Sequence, residues 1–313
     1  MIGRFLPEGR NLNEAENIAS CATLSGLKSA GEREVILEGI ALSCSADREL
    51  TVSLGPFTGR IPREEAALGI SEGTTREIAI LSRVGKPVCF TITSVSGTEE
   101  VPEILLSRRR AQEMALNFLM SELQPGMVIP ATVTHLEPFG AFVDIGCGLV
   151  SMVGIEQISV SRIPHPSCRF TAGQEIYVAV VETDPVLNRV KLTHRELLGS
   201  WEENARCFTP GMTVAGTVRG IKEYGAFIEL APNLSGLAEP RLDLRDGDRV
   251  SVFIKAILPD RMKIKLLIID RLTPDPIPAP LRYFITDGKL KHWVYAPGCC
   301  HKAGPETDFS SPT

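Results

Sequence analysis

Pro125-Gly126-Met127, followed by Phe139-Gly140-Ala141-Phe142-Val143-Asp144, returns further along the chain as Pro210-Gly211-Met212 and Tyr224-Gly225-Ala226-Phe227-Ile228-Glu229. Each residue of the second copy stands 85 positions after its counterpart, as 126 and 211 or 142 and 227 show. A fixed internal period is the mark of a repeated structural unit. Inside each copy an aromatic, a glycine and a second aromatic sit in an alternating strand pattern. A small β-barrel that displays flat rings in this way offers single-stranded nucleic acid a stacking surface, worth roughly 1–3 kcal/mol per base.

The 313 residues leave room for two or three domains. A hydrophobic share of 43% supplies their cores, and 22 prolines with 27 glycines punctuate short strands better than long helices. The Met1-Ile2-Gly3-Arg4 start lacks the apolar run of a signal peptide. No stretch reaches the roughly 20 apolar residues of a membrane span. The eight cysteines are scattered, as Cys89 is between Val88 and Phe90, and read as reduced thiols of a cytoplasmic protein. The net charge is −5, and Leu123–Leu197 holds five Lys/Arg against seven Asp/Glu, Phe208–Asp270 nine against eight. Neutralising phosphates cannot therefore be the main source of affinity. Stacking with a few local cations is the remaining route.

Upstream of the repeats, alternation begins at Glu34 and runs through Val35, Leu37 and Ile40, then Leu50, Val52 and Leu54. Further apolar runs at Ile78–Leu81, Val88–Val95 and Ile104–Leu106 complete five expected strands, enough for one small barrel. Ala111, Met114, Ala115, Phe118 and Leu119 carry a helical period, and so do Leu198, Trp201 and Ala205. Both repeats thus begin after a short helix. Within each, five strands with a long gap between the third and fourth fit the five-stranded OB barrel. Beyond them, Leu281–Thr286 and Lys289–Tyr295 flank Asp287-Gly288 and read as a hairpin.

At this level of detail the chain resembles the S-one repeat family, named after the largest protein of the bacterial small ribosomal subunit. The residues that carry the resemblance are Pro125-Gly126, Phe139–Gly146, Gly173–Ile176 and Arg189–Thr193. They return as Gly211, Tyr224–Leu230, Gly247–Val250 and Lys263–Leu266. In the first module only Gly59–Glu64 and Leu106–Arg109 look familiar. The expected fold is all-β: three tandem OB barrels joined by short helices, with a C-terminal hairpin extension. The expected division is a polar, helical segment over 1–32, a diverged barrel over 33–110, a linker helix over 111–122 and a full repeat over 123–197. A second linker helix over 198–207, a shortened repeat over 208–270, and a hairpin with a disordered tail over 271–313 follow.

The resemblance implies single-stranded RNA binding in or near translation, with mRNA as the partner and little sequence preference. The site it implies is Phe139, Phe142, Asp184, Arg189 and Lys191 in the second module. In the third it is Tyr224, Phe227, Lys263 and Lys265. The rings stand three apart, so a regular strand would aim them at opposite faces; a bulge at Gly140 or Gly225 is the expected remedy. The family's histidine is absent, its place falling on Gly154 and Glu239, and the third module is shorter. The first module has Arg48-Glu49-Leu50-Thr51 in place of rings. It is expected to bind no RNA but to pack or dock on protein, with the small ribosomal subunit as a candidate.

Rival readings accompany each signal. Phe142 and Phe227 are also suited to barrel cores; Arg189, Lys191, Lys263 and Lys265 to a solvated strand face. Arg108–Arg110 is either a phosphate clamp or the polar face of a helix. His292, Cys299, Cys300 and His301 invite a zinc reading, but adjacent cysteines are poor ligand spacing, and no metal or cofactor is expected. No catalytic motif is recognisable, and no enzyme activity is expected. The competing functional class is a scaffold of barrels that has lost RNA and binds protein.

Overall fold

The computed structural model describes residues 5–98, 100–241, 243–273 and 280–310. They form two compact units. One holds the chain up to Leu123 with Pro130–Thr132 and Asp144–Val150; the other holds Gln124–Ile129, Val133–Val143 and the chain from Ser151.

The first unit opens with helices α1 (Ala15–Cys21) and α2 (Leu24–Glu32), the second capped by the Thr23 hydroxyl, which accepts Gly26 N–H at 3.0 Å. Strands β1 (Leu37–Cys44), β2 (Leu50–Leu54) and β3 (Phe57–Ile61), helical turn α3 (Ile78–Leu81), and strands β4 (Pro87–Gly97) and β5 (Pro102–Ser107) follow. The five strands close a barrel in the order β1-β2-β3-β5-β4. Alternation sets the core: Leu50, Val52 and Leu54 are buried while Thr51 and Ser53 are not. One expected strand is a helix. Ile78–Leu81 forms α3, and the third strand is Phe57–Ile61, paired with β2 from Leu54↔Phe57 to Leu50↔Ile61. A four-residue apolar run suits either geometry; here only Ile80 is buried, at the helical turn.

Strand β5 runs directly into helix α4 (Arg108–Glu122), because Ser107 ends the strand and caps the helix, accepting Arg110 N–H at 2.9 Å. The three arginines that open α4 are all committed to acids. Arg108 grips Glu8 with two bonds of 2.6 and 3.0 Å, Arg109 meets Glu65 at 2.7 Å, and Arg110 pairs with Glu34. They are structural ties rather than a phosphate clamp. Around Glu8, Asp144 accepts the N–H groups of Glu8, Gly146 and Gly148 at 2.8, 2.8 and 3.0 Å. Glu38 accepts those of Gly9 and Asn11 through Oε2, while its buried Oε1 has no hydrogen-bond partner among the described residues. Burial pushes Glu38 and Asp144 up to about 7, with the Glu8 charge adding to the rise.

The second barrel comprises β6 (Val128–Glu137), β7 (Gly140–Asp144), β8 (Val150–Gly154), a helical turn α5 (Ile155–Ile158), β9 (Glu175–Asp184) and β10 (Arg189–Thr193), ordered β10-β8-β7-β6-β9. Helix α6 (Trp201–Ala205) leads to the third, built from β11 (Thr213–Lys222), β12 (Gly225–Ala231), β13 (Leu234–Ala238), β14 (Arg249–Leu258) and β15 (Lys263–Leu272), ordered β11-β12-β13-β15-β14. All three closures share one strand order, that of the OB fold. Gly126 and Gly211, at φ 85° and 95°, sit in tight turns closed by Met127 N–H to Gln124 O and Met212 N–H to Thr209 O. A side chain would be strained there, which explains the repeated Pro-Gly. The second linker is not one helix over 198–207. Gly199, at φ 80°, breaks it between a short 3₁₀ turn and α6, and Ser200 with Glu203 restarts it through a capping box.

A buried ion cluster joins the second barrel to the third. Arg169, between β8 and β9, and Arg219 on β11 converge on Glu229 of β12; the Arg219 bonds measure 3.0 and 3.1 Å. Asn233 adds a second tie, accepting Val160 N–H and donating to Arg195 O and Gly199 O at 2.7 Å each.

The tail departs from expectation. Leu281–Thr286 pairs with no strand: Phe284 N–H bonds Leu197 O, and the Tyr283 hydroxyl lies 2.9 Å from His194 Nε2. Past the Asp287-Gly288 turn, Lys289 bridges to Met127, and β16 (His292–Val294) pairs with β17 (Glu306–Asp308). The segment after Pro305, expected disordered as far as residue 313, is thus ordered to residue 310, with Phe309 buried; 311–313 lie outside the described residues. Its aromatics join the core of the third barrel, which a free hairpin would leave in water. His194 is fully buried between Ile158 O and Tyr283, and burial draws it down to about 4.

Replacing Glu229 by Gln strands the buried Arg169 guanidinium and the partly buried one of Arg219. It should cost about 3–5 kcal/mol, read from the denaturant midpoint. The two units should also respond oppositely to pH. Between about pH 4 and 7 folded Glu38 and Asp144 hold protons that the unfolded chain releases, so the first unit loses stability as pH rises. Between about pH 4 and 6.5 the unfolded chain holds the His194 proton, so the second unit gains it. Hydrogen exchange of β4 and β10 amides at pH 5 and 7.5 should show opening free energies moving in opposite directions.

Candidate nucleic-acid interface

Hairpins β6–β7 and β11–β12 each close through a two-residue turn, Pro138-Phe139 and Glu223-Tyr224. The first ring of each motif therefore sits in the turn, and Phe139 and Tyr224 are 56% and 69% exposed. The second ring is on the strand. Ala141 and Val143 point into one barrel and Ala226 and Ile228 into the other, which turns Phe142 and Phe227 outward, half-buried. The rings meet edge to face, Phe139 with Phe142 at 6.0 Å and 86°, Tyr224 with Phe227 at 6.1 Å and 87°. The turn, not a bulge at the glycine, brings residues three apart onto one face. Gly140 and Gly225 answer a different need: an added Cβ would lie 2.5 Å from Val153 O or 2.6 Å from Ala238 O on the adjacent strand. The bulge in this hairpin falls opposite, between Val218 and Gly220.

Pairing registers extend the face sideways. In the third barrel Phe227 pairs with Leu237, and Leu237 with Lys265. An aromatic, an aliphatic and a cation thus form one row, and two strand spacings of about 4.8 Å separate its ends. In the second barrel Lys191 pairs with Met152, which is 40% exposed. Arg189 and Lys191 are exposed with Val190 buried between them; Lys263 is half-buried and Lys265 exposed around buried Ile264. Asp184 faces Arg189 at the β9–β10 turn, where its Oδ1 accepts the Val186 and Leu187 N–H groups. The ring turn joins strands one and two of its barrel, and the Asp184–Arg189 turn joins strands four and five. OB folds bind oligonucleotides with these two loops and the face between them.

At the place of the missing family histidine, Gly154 offers no side chain, and Glu239 lies 3.6 Å from Lys255, which offsets its charge. Among the described residues the first barrel offers no comparable face. Arg48 pairs with Glu77 at 2.9 Å and Glu49 with Arg60 at 3.5 Å where rings stand in the repeats. In the tail, His292 pairs with Glu306, and no group of three or more metal-capable side chains occurs among the described residues. Sequence reasoning missed His135 on β6, whose exposed ring lies 6.2 Å from that of Phe142. It also missed Met152 and Leu237, which their shared 85-residue spacing would have flagged.

Fold and face together define a protein of tandem OB barrels, two of which present paired rings beside cations. Residues 122–195, which span the second barrel, match the model of the S1 RNA binding domain. The chain is 33% identical over 179 residues to small ribosomal subunit protein bS1 of Leuconostoc lactis, covering 52% of this chain and 42% of that protein. It is 32% identical over 160 residues to the bS1 homolog of Bacillus subtilis, covering 47% and 42%. With bS1 of Rhizobium meliloti the identity is 28% over 254 residues, covering 76% and 42%. The chain spans less than half the length of each of these relatives. Among solved structures, a multidomain protein with nucleic acid binding domains from Streptococcus pneumoniae aligns over 77% of this chain and 75% of its own at 15% identity, with a TM-score of 0.26, too loose a superposition to support an argument. Among the described residues, no helix is long and apolar enough to cross a membrane.

Because the first rings protrude from turns, Phe139→Ala and Tyr224→Ala should each change stability by no more than about 0.5 kcal/mol. Thermal unfolding checks this; losses of several kcal/mol would place the rings in the cores.

Proposed function

We propose that the chain binds single-stranded RNA, mRNA above all, through the ring faces of its second and third barrels, acting in or near translation in the cytoplasm. The observation that carries the reading is the paired display: two barrels present the same edge-to-face rings, each on a strand pair that leads to an exposed lysine. Phe139, Phe142, Tyr224 and Phe227 stack on bases, while Arg189, Lys191, Lys263 and Lys265 meet phosphates and Asp184 shapes the turn that carries Arg189. Stacking accepts any base, so sequence preference is low. Affinity per barrel is modest, and tethering two barrels raises it through effective concentration. The similarity to bS1 proteins supports a place near the ribosome. The first barrel, with ion pairs instead of rings, is left for protein contact, the small ribosomal subunit being the candidate.

The test titrates the full chain with a fluorescent, unstructured 12-nucleotide RNA at two salt concentrations, beside a variant with Phe139, Phe142, Tyr224 and Phe227 all replaced by Ala. Circular dichroism controls for folding. The folded variant should bind at least tenfold more weakly, and the salt slope of the parent should stay shallow, about −0.7 for each phosphate contact. Equal binding by both proteins would overturn the stacking mechanism. No binding by the parent at low salt would turn the search toward protein partners.

A further inference from the structure

The two ring faces are not equivalent. In the third barrel the β11 residue in register with Phe227 is Gly220, and a Cβ built there meets nothing within 4 Å. The residue 85 positions earlier, on β6, is His135. Its neighbour Thr134 donates its hydroxyl hydrogen bond to Phe142 O at 3.2 Å, which ties this part of β6 to the ring-bearing strand. The His135 side chain is 64% exposed, and its ring lies 6.2 Å from that of Phe142 at an interplanar angle of only 32°. Phe139, by contrast, stands nearly perpendicular to Phe142. His135 therefore extends the flat surface of Phe142 across to β6, while the third barrel has open space at the same place. Two residues on, the faces differ again: Glu137, whose Oε1 lies 2.6 Å from His135 Nε2, corresponds to Lys222.

We propose that His135 is a third stacking ring, which gives the second barrel a subsite for one more base than the third barrel can hold, and that Gly220 marks its vacant counterpart. The proposal rests on the RNA-binding reading above. It assigns the Glu137 contact a holding role: the carboxylate fixes the imidazole beside Phe142 and leaves the faces of the ring free for a base. The flat ring, and not its polar nitrogens, is the working feature.

The experiment uses the full chain and the same labelled 12-nucleotide RNA, with folding checked by circular dichroism. With the third barrel silenced by Tyr224→Ala and Phe227→Ala, His135→Ala should weaken binding about fivefold or more, the lower end of the stacking range. His135→Phe, which keeps a ring and removes the ring nitrogens and the Glu137 contact, should retain binding within about twofold. With the second barrel silenced instead by Phe139→Ala and Phe142→Ala, Gly220→His should strengthen binding by a similar factor, since an added Cβ there meets nothing within 4 Å. If ring removal abolishes binding but His135→Ala and Gly220→His each change it less than twofold, the third-ring proposal is wrong and the RNA reading stands. If His135→Phe binds as weakly as His135→Ala, His135 acts through its contact with Glu137, and the stacking role is overturned. If removing the four original rings leaves binding unchanged, or the parent binds no RNA, both readings fall together.

Discussion

A buried acid in the second strand is the constraint on which each repeat depends. Asp144 and Glu229 occupy the same motif position, and neither faces water. A carboxylate taken from water needs partners, and the two repeats supply them differently. Asp144 gathers three backbone N–H groups, one of them from Glu8, in the first unit. Glu229 gathers Arg169 from the second barrel and Arg219 from the third. Each acid thereby fixes a segment that arrives from another part of the chain. Partner geometry of this kind specifies one arrangement where apolar packing alone would tolerate several.

Anchoring of that sort matters for the ring faces. The rings stand on a two-residue turn and the strand that follows it, and that strand carries the buried acid two residues after the second ring. Ala141 and Val143, or Ala226 and Ile228, hold the strand from inside with no exposed area. Flat surfaces set on a rigid barrel lose little freedom when a base stacks on them, so a modest contact yields more net affinity. Under the proposed RNA binding, a net charge of −5 leaves the chain little else to draw on. The first barrel keeps the fold and replaces the rings with ion pairs, an illustration that the OB fold fixes no function by itself.

Much of this was legible in the sequence because it is local. The 85-residue period announced the repeats, alternation such as Leu50, Val52 and Leu54 announced strands, and the motif set Phe139 with Phe142 and Tyr224 with Phe227. Where the reading failed, the deciding partner was distant. Ile78–Leu81 has the composition of a strand, but its neighbours leave only Ile80 buried. Arg108–Arg110 left a phosphate clamp and a polar helix face open, and only the distant Glu8, Glu65 and Glu34 decide against the clamp. Asp287-Gly288 is a favourable hairpin turn, yet the backbone beyond it finds Gly126 and Met127 rather than Leu281–Thr286.

The sequence by itself determined the repeated barrels, the residues of the motif and the weak charge balance, since periodicity, turn glycines and composition act over a few residues. Tertiary structure alone decided which rings share a face and which cations are tied up in ion pairs. It also decided that His135 belongs beside Phe142. Those outcomes follow from hairpin turns, strand register and buried ion pairs, which join positions that have no proximity along the chain.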